Sequence, residues 1–239
     1  MSGHSRWSQI KRQKEVADQK KGQLFSKLSK VISIAARRGA DPEMNMELKN
    51  AIEKAREANM PKENIERAIK RGTGELAGEH IDELIYEGFG PGGVAFLMEV
   101  TTTNKNRSAS DIKHVFTKYG GNLGSTNSVR RMFEKRGTIG LRSDTLTETR
   151  ELKLIETGVL DIQKDGDETT ILTALEDLQK IKDLLEKEGI HLEFSEFDYI
   201  PEITISIEDP HLREKLEKLS SELDEIPDIS HFTSNLKSS

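Results

Sequence analysis

Three glycines in the segment EGFGPGGVAF, residues 87–96, have the spacing G-x-G-x-x-G, which can bind the phosphates of a nucleotide. In dinucleotide-binding folds a helix opens directly after these glycines, because the amides at its N-terminus bind the pyrophosphate. Here the residues after Gly93 read VAFLMEV, which is typical of a strand. We therefore interpret Gly88, Gly90 and Gly93 as a turn between two strands, in which glycine allows positive φ angles.

No known catalytic or metal-binding pattern occurs in the sequence. The chain has no cysteine, and its six histidines form no H-x-x-x-H pair. Neither a G-x-S-x-G nucleophile motif nor a phosphate-loop lysine motif is present. Asp165, Asp167 and Glu168 surround Gly166 as in a polar hairpin turn, without the ligand pattern of a calcium loop. The sequence predicts a protein that is not an enzyme and that uses no metal or cofactor.

Basic residues near the N-terminus form the clearest binding candidate. Residues 3–38 contain ten lysine and arginine side chains and only two acidic ones. Such a segment neutralises phosphates and releases counterions, which gives affinity for nucleic acid with little regard to sequence. Trp7 either stacks on a base or packs on the protein itself. The predicted nucleic-acid-binding residues are Arg6, Trp7, Lys11, Arg12, Lys14, Lys20, Lys21, Lys27, Lys30, Arg37 and Arg38.

A helical wheel groups the last four of these cations. Apolar residues recur at helical spacing from Phe25 to Ala36, and the four cations fall on the opposite face, around Ile34. That face carries no acidic residue, so we expect it to contact phosphates. In the helix predicted over residues 61–72, acidic and basic residues pair at i,i+4 and cancel each other, which favours a plain helical hairpin over a helix-turn-helix.

A second candidate is the start of a helix predicted over residues 107–119. Asn104, Lys105 and Arg107 lie there, and the free amides of a helix N-terminus favour anions. Polar residues at this position also serve as helix caps. The sequence leaves both interpretations open.

Charge is distributed unevenly along the 239 residues. Residues 1–71 carry 17 Lys and Arg against 9 Asp and Glu, whereas residues 137–239 carry 11 against 25. This asymmetry favours nucleic acid as a partner of the basic end. No apolar run approaches the roughly 20 residues that span a bilayer. We expect a cytoplasmic protein with no membrane partner, and the absence of cysteine fits a reducing compartment.

The order of predicted elements indicates a multi-domain α+β protein. Residues 1–78 form a basic all-helical domain with a flexible N-terminal arm and a helix start at Asp41 and Pro42. A strand predicted near 129–135 ends the first part of one α+β unit, and a strand predicted at 138–142 begins another. Residues 137–199 have the βαββαβ order of a ferredoxin-like domain. This domain is inserted in a second, similar α+β domain, residues 79–136 plus 200–239, whose second part includes a strand at 202–207.

Several long motifs resemble the YebC/PmpR family. They are GHSRW at 3–7, AARRG at 35–39, NMPKENIERAIKRGTG at 59–74, YEGFGPGGVAFLMEV at 86–100, NKNR at 104–107 and FTKYGGNLG at 116–124. The resemblance is dense to about residue 135. It implies one all-helical and two α+β domains and no enzymatic activity. Thr103 stands where an acid is common in the family, which weakens any metal site in that loop.

The resemblance implies a role in gene expression but leaves the partner open. Some family members are described as DNA-binding transcriptional regulators, and others as translation activators at the ribosome. Our first interpretation is a DNA-binding transcriptional regulator. The alternative is a ribosome-associated translation factor that binds ribosomal RNA through the basic N-terminal domain, since RNA is often recognised by its shape and backbone. A third interpretation is a protein–protein adaptor.

Overall fold

The structure is a computed structural model that describes residues 21–76 and 80–237. It begins with three helices: α1 Lys21–Ala36, α2 Met46–Glu57 and α3 Lys62–Gly72. Strands and helices then alternate in the order β1 Asp82–Phe89, β2 Ala95–Thr102, α4 Lys105–Lys118, β3 Asn122–Leu123, β4 Phe133–Arg142, α5 Glu148–Thr157, β5 Asp161–Asp165, β6 Glu168–Thr173, α6 Leu178–Lys187, β7 Phe194–Pro201, α7 Pro210–Glu225 and β8 Ile229–Ser234. This arrangement confirms the predicted α+β class.

In the helical region, α1 packs against both α2 and α3. Ile32, Leu48, Ala55 and Ala68 are fully buried between the helices, because the apolar residues of each helix recur on one face. The predicted helix start at Asp41 and Pro42 is wrong, since α2 begins at Met46. Its N-cap is a buried asparagine.

That asparagine, Asn45, explains where the second helix begins. Its side-chain oxygen accepts a hydrogen bond from the amide of Leu48 at 3.2 Å. Its side-chain nitrogen donates to the carbonyl oxygens of Ala35 and Gly39, each at 2.8 Å. One side chain thus satisfies groups at the end of α1 and at the start of α2, which a cap at Asp41 would leave unpaired.

The first sheet has the strand order β3-β1-β2-β8, with antiparallel neighbours. Helices α4 and α7 cover one face, where Phe96, Phe116, Leu216 and Phe232 are buried. Two segments far apart in the sequence build this sheet, as predicted for the split unit. Its central strands, β1 and β2, are joined by a hairpin.

The glycine-rich segment is the turn of that hairpin, as predicted. The amide of Gly90 donates to the carbonyl of Val94 at 2.8 Å. Gly92 and Gly93 have φ angles of 71° and 77°, which favour glycine. Residues Pro91–Gly93 form only a single 3-10 turn, and a strand follows it, so no α-helix begins there whose N-terminus could bind a phosphate.

The second sheet has the order β5-β6-β4-β7, again antiparallel. Together with the element order βαββαβ, this is the predicted ferredoxin-like arrangement. Strand β4 pairs with β7 from Phe133↔Pro201 to Gly140↔Phe194. The pairing therefore continues through the boundaries that we predicted after residues 136 and 199, and the second-sheet unit spans residues 133–201.

Three predicted strands differ from the structure. The segments near 129–135 and 138–142 contribute to a single strand, β4, because Gly137 is not a break. A Cβ at this glycine would lie 2.2 Å from the side-chain oxygen of Thr173 and 2.9 Å from the Cβ of Leu178, so glycine is needed there for close packing. Residues 202–207 form no strand; only Ile205 makes an isolated bridge, to Leu236.

None of the helices in the described ranges is long and apolar enough to cross a membrane.

Candidate nucleic-acid interface

The predicted cationic face of α1 lies against the first sheet, where it contacts β2 and β8. The amine of Lys27 donates to the main-chain oxygen of Asp224 at 2.6 Å. Lys30 donates to a carboxylate oxygen of Asp228 at 2.5 Å, and its side chain is only 16% exposed. Arg37 donates to the carbonyl of Ile81 at 2.7 Å. The expectation that this face is open to phosphates is therefore corrected for Lys27, Lys30 and Arg37.

The physical reason is that a helical wheel considers one helix by itself. The wheel of α1 correctly identifies the side that packs against α2 and α3, but it cannot show that residues near the C-terminus cover the opposite side. Ile34, at the centre of the cationic face, is buried. Arg38 differs from the other three cations, since its side chain is 64% exposed and pairs with Glu47 at the surface. Such an exposed pair is weak and leaves Arg38 able to meet another anion.

Asp228 is the centre of the contact between α1 and the first sheet. Its side chain is 2% exposed, and it accepts hydrogen bonds from Lys30, from Arg107 at 2.8 Å, from Ser108 at 2.7 Å and from Thr102 at 3.1 Å. Burial raises the pKa of this carboxyl, but the hydrogen bonds from Lys30, Arg107 and Ser108 outweigh it and lower the pKa to about 2. The carboxylate is therefore charged at neutral pH and ties the helical region to the sheet.

The second predicted anion site is filled by the protein's own groups. The side-chain oxygen of Asn104 accepts from the amide of Arg107 at 3.1 Å, which is a helix cap. Lys105 pairs with Asp82 at 3.1 Å, and Arg107 pairs with Asp228. The contacts support the capping interpretation, because both cations at this helix start already face an acid.

Burial of Lys27 gives a prediction that depends on pH. Burial is the main cause that lowers the pKa of this lysine from 10.5 to about 8. The unfolded chain binds the Lys27 proton more tightly than the folded protein does. Below pH 8 the free energy of unfolding of the wild type is therefore lower than at high pH, and it rises between about pH 8 and 10.5. We expect Lys27→Met to increase the free energy of unfolding at pH 7 by about 1–3 kcal/mol, since it removes this cost but loses one hydrogen bond.

Urea unfolding at pH 7 and at pH 10 measures this effect. The gain of the Lys27→Met variant is expected to shrink at pH 10, where the wild-type lysine is largely neutral. Lys62→Met is the control, because the side chain of Lys62 is 89% exposed and its ion pair with Glu66 lies at the surface. This variant should change the free energy of unfolding little at either pH. Equal gains at both pH values would show that charge burial is not the cause.

A buried acid that sequence reasoning missed organises a second basic segment. The side chain of Glu87 accepts hydrogen bonds from the amides of Asn127 and Val129 at 2.7 Å and of Arg130 at 2.8 Å. Glu87 is buried on β1. The one signal in the sequence is an acid beside Gly88 in a largely apolar strand. These contacts fix the loop that joins β3 to β4.

Charged pairs also connect the second sheet to the other units. Lys54 of α2 pairs with Glu196 of β7, and Lys182 of α6 lies 3.3 Å from Glu53. The ring of His231 on β8 lies 2.7 Å from Asp198. Glu196 and Asp198 are both buried. Part of the acidic excess of the C-terminal half therefore serves contacts within the molecule.

The remaining predicted binding residues precede α1. Arg6, Trp7, Lys11, Arg12, Lys14 and Lys20 lie outside the described residues, and Lys21 is the first residue of α1. Over the described ranges, no group of three or more histidine, aspartate or glutamate side chains is placed to hold a metal ion. The candidate interface therefore consists of the N-terminal cations, with Lys21 and Arg38 as its described members.

Two family models match the chain. The model of the TACO1/YebC protein N-terminal domain matches residues 5–75. The model of the TACO1/YebC second and third domain matches residues 81–236. The two models divide the chain where the described helical region ends and the first sheet begins.

Individual relatives are similar over their full length. A "probable transcriptional regulatory protein" of Sulfurihydrogenibium sp. is 48% identical over 238 residues, with 98% of this chain and 95% of the relative covered. One of the same description from Persephonella marina is 46% identical over 242 residues, with coverage of 100% and 97%. The crystal structure of a conserved hypothetical protein from Aquifex aeolicus superposes with a TM-score of 0.84 at 43% identity, covering 93% of this chain and 92% of that one. The relatives' names describe a regulator and not an enzyme.

Proposed function

Because the chain belongs to the TACO1/YebC family, we propose that it regulates gene expression by binding nucleic acid, and that this nucleic acid is DNA. The relatives' name, probable transcriptional regulatory protein, supports DNA as the target. A regulator of transcription reaches its gene through DNA or through the machinery bound there. The chain's own charge distribution favours direct contact with the polymer.

The observation that carries this proposal is the concentration of positive charge in the sequence near the N-terminus. Residues 6–21 contain six Lys and Arg against two acidic residues. The docked cations Lys27 and Lys30 cannot bind phosphate without giving up their contacts with Asp224 and Asp228. We therefore assign phosphate binding to Arg6, Lys11, Arg12, Lys14, Lys20 and Lys21, and add Arg38 to this set. In this proposal Trp7 stacks on an exposed base or sugar.

A variant with these six cations of residues 6–21 changed to glutamine tests the assignment. We expect its affinity for duplex DNA to fall about 100-fold at low salt. The slope of log K against log salt concentration should flatten by roughly 0.9 for each lost phosphate contact. Fluorescence anisotropy with a labelled duplex, repeated over a salt series, measures both quantities.

The matched control removes six exposed cations elsewhere: Lys62, Arg67, Lys70, Lys164, Lys180 and Lys187. It changes net charge by the same amount, so it should bind like the wild type. An equal loss in the control would show that only total charge matters and would refute the assignment to the N-terminal cations.

The choice of DNA is tested in cells. The protein is cross-linked to nucleic acid, and the attached polymer is sequenced. We expect promoter-proximal DNA to be enriched. Enrichment of ribosomal RNA without DNA would overturn the DNA part of the proposal and leave nucleic-acid binding itself intact.

A further inference from the structure

We propose that residues 125–136, here named the arginine loop, form a second contact for the phosphodiester backbone of the same nucleic acid. The inference rests on the proposed function, since it adds a second anchor to the one at the N-terminus. Residues 125–132 of the arginine loop connect β3 of the first sheet to β4 of the second, and residues 133–136 are the first residues of β4. Its basic side chains are Arg130, Arg131, Lys135 and Arg136.

The charge of the arginine loop contrasts with its surroundings. Residues 80–237 carry 19 Lys and Arg against 31 Asp and Glu. Four of those cations fall within the twelve residues of the loop, which contain a single acid, Glu134. Lys135 and Arg136 are successive residues of β4 and point to opposite faces of the sheet, so the cluster consists of Arg130, Arg131 and Lys135. Such a cluster creates a local positive potential on an otherwise acidic surface.

Hydrogen bonds to Glu87 on β1 hold the backbone of the arginine loop in place. The side chain of Glu87 accepts hydrogen bonds from the amides of Asn127, Val129 and Arg130, and its main-chain carbonyl accepts one from the amide of Gly124 at 2.7 Å. Buried carboxylates bound by several amides fix a backbone firmly, because each hydrogen bond is charge-assisted. The loop thus presents its cations without a large ordering cost on binding.

Three of the four cations of the arginine loop, Arg130, Arg131 and Lys135, have no acidic partner within the described ranges. The guanidinium of Arg130 lies 4.4 Å from the ring centroid of Tyr199, and the amine of Lys135 lies 5.4 Å from it. These contacts orient the side chains and leave their charge available. Arg136 pairs with Glu134 at 2.5 Å. Within the described ranges, Arg131 and Lys135 are exposed and have no acidic partner.

Phosphate is the ligand that fits these features. A planar guanidinium binds two phosphate oxygens at once, and a neighbouring lysine adds a point charge. The exposed side chain of Met132, 41% accessible, lies next to Arg131 and offers an apolar contact to a sugar or base. The arrangement favours backbone contact rather than base reading, since only a few side chains project from the loop.

The double variant Arg131→Gln/Lys135→Gln tests the arginine loop. Both side chains are exposed and pair with no acid in the described ranges, and only the contact of Lys135 with the ring of Tyr199 is lost, so thermal stability should change little. We expect about a tenfold loss of affinity for duplex DNA at low salt. The slope of log K against log salt concentration should flatten by roughly 0.9 for each of the two lost phosphate contacts. Lys180→Gln/Lys187→Gln is the control with the same charge and should bind like the wild type.

A direct readout comes from a benzophenone amino acid placed at Met132, which should cross-link to bound duplex DNA on irradiation. Loss of binding in the arginine-loop variant, with that cross-link, supports the inference. If the arginine-loop variant binds duplex DNA as the wild type does while the N-terminal variant binds it more weakly, the inference is overturned and the proposed function stands. If neither variant weakens binding, the proposed function fails as well.

Discussion

Replacing Asp228 with alanine is expected to lower the free energy of unfolding by about 3–5 kcal/mol, because removal of one partner from a buried charge network leaves the others unpaired. Lys30 is largely buried and would lose its carboxylate partner. Ser108 and Thr102 are fully buried and would lose an acceptor. Urea unfolding followed by circular dichroism measures the loss.

The same variant should release the helical region from the first sheet. Lys30 and Lys27 are the polar contacts of α1 with the segment from Asp224 to Asp228. We expect limited proteolysis and hydrogen exchange to show greater exposure of α1 in Asp228→Ala. Glu47→Ala is the control, because its pair with Arg38 is exposed and contributes little. An Asp228→Ala protein as stable as the control would show that the network does not hold the two units together.

The pH dependence of this network has a definite sign. The pKa of Asp228 is lowered from 3.8 to about 2 in the folded protein, so its contribution is complete above about pH 4 and is lost as the pH falls towards 2. The difference corresponds to about 2 kcal/mol. Asp228→Asn should lose this part of the acid dependence, since an amide does not titrate.

Glu87→Ala is the second change with a large expected effect, about 3–5 kcal/mol of unfolding free energy. Three main-chain amides would lose their acceptor, of which that of Val129 is buried and those of Asn127 and Arg130 are partly buried. An unsatisfied buried donor costs about 1–3 kcal/mol. We also expect faster hydrogen exchange at Val129 and Arg130. Weaker DNA binding should accompany this if the arginine loop must be ordered to bind.

Glu83→Ala is the matched control, since Glu83 lies on the same strand and points to the same side of the sheet. Burial raises the pKa of Glu83, which means that its charge is disfavoured in the folded protein. Its removal should therefore leave stability unchanged or slightly increased. A loss in Glu83→Ala equal to that in Glu87→Ala would contradict a special role for the amide contacts.

The sequence was sufficient for most of the order of helices and strands, because the periodicity of apolar residues is a local property. Helix α4, strand β2 and the glycine turn after β1 all lie close to their predicted positions. Errors arose where a distant residue decides the local structure. Asn45 moves a helix start by binding the end of α1, and Gly137 permits a continuous strand by packing against Thr173 and Leu178.

The sequence by itself also determined the partition of charge, with a basic beginning and an acidic end, and hence the proposal of a nucleic-acid partner. Only the tertiary structure decided which cations are available. Lys30 meets Asp228 across 198 positions of the chain, and Glu87 meets Val129 across 42. A helical wheel or a charge count treats each segment as if it were alone in water. The availability of a charge depends on what the folded chain places against it, which here buries one predicted cationic face and leaves the arginine loop exposed.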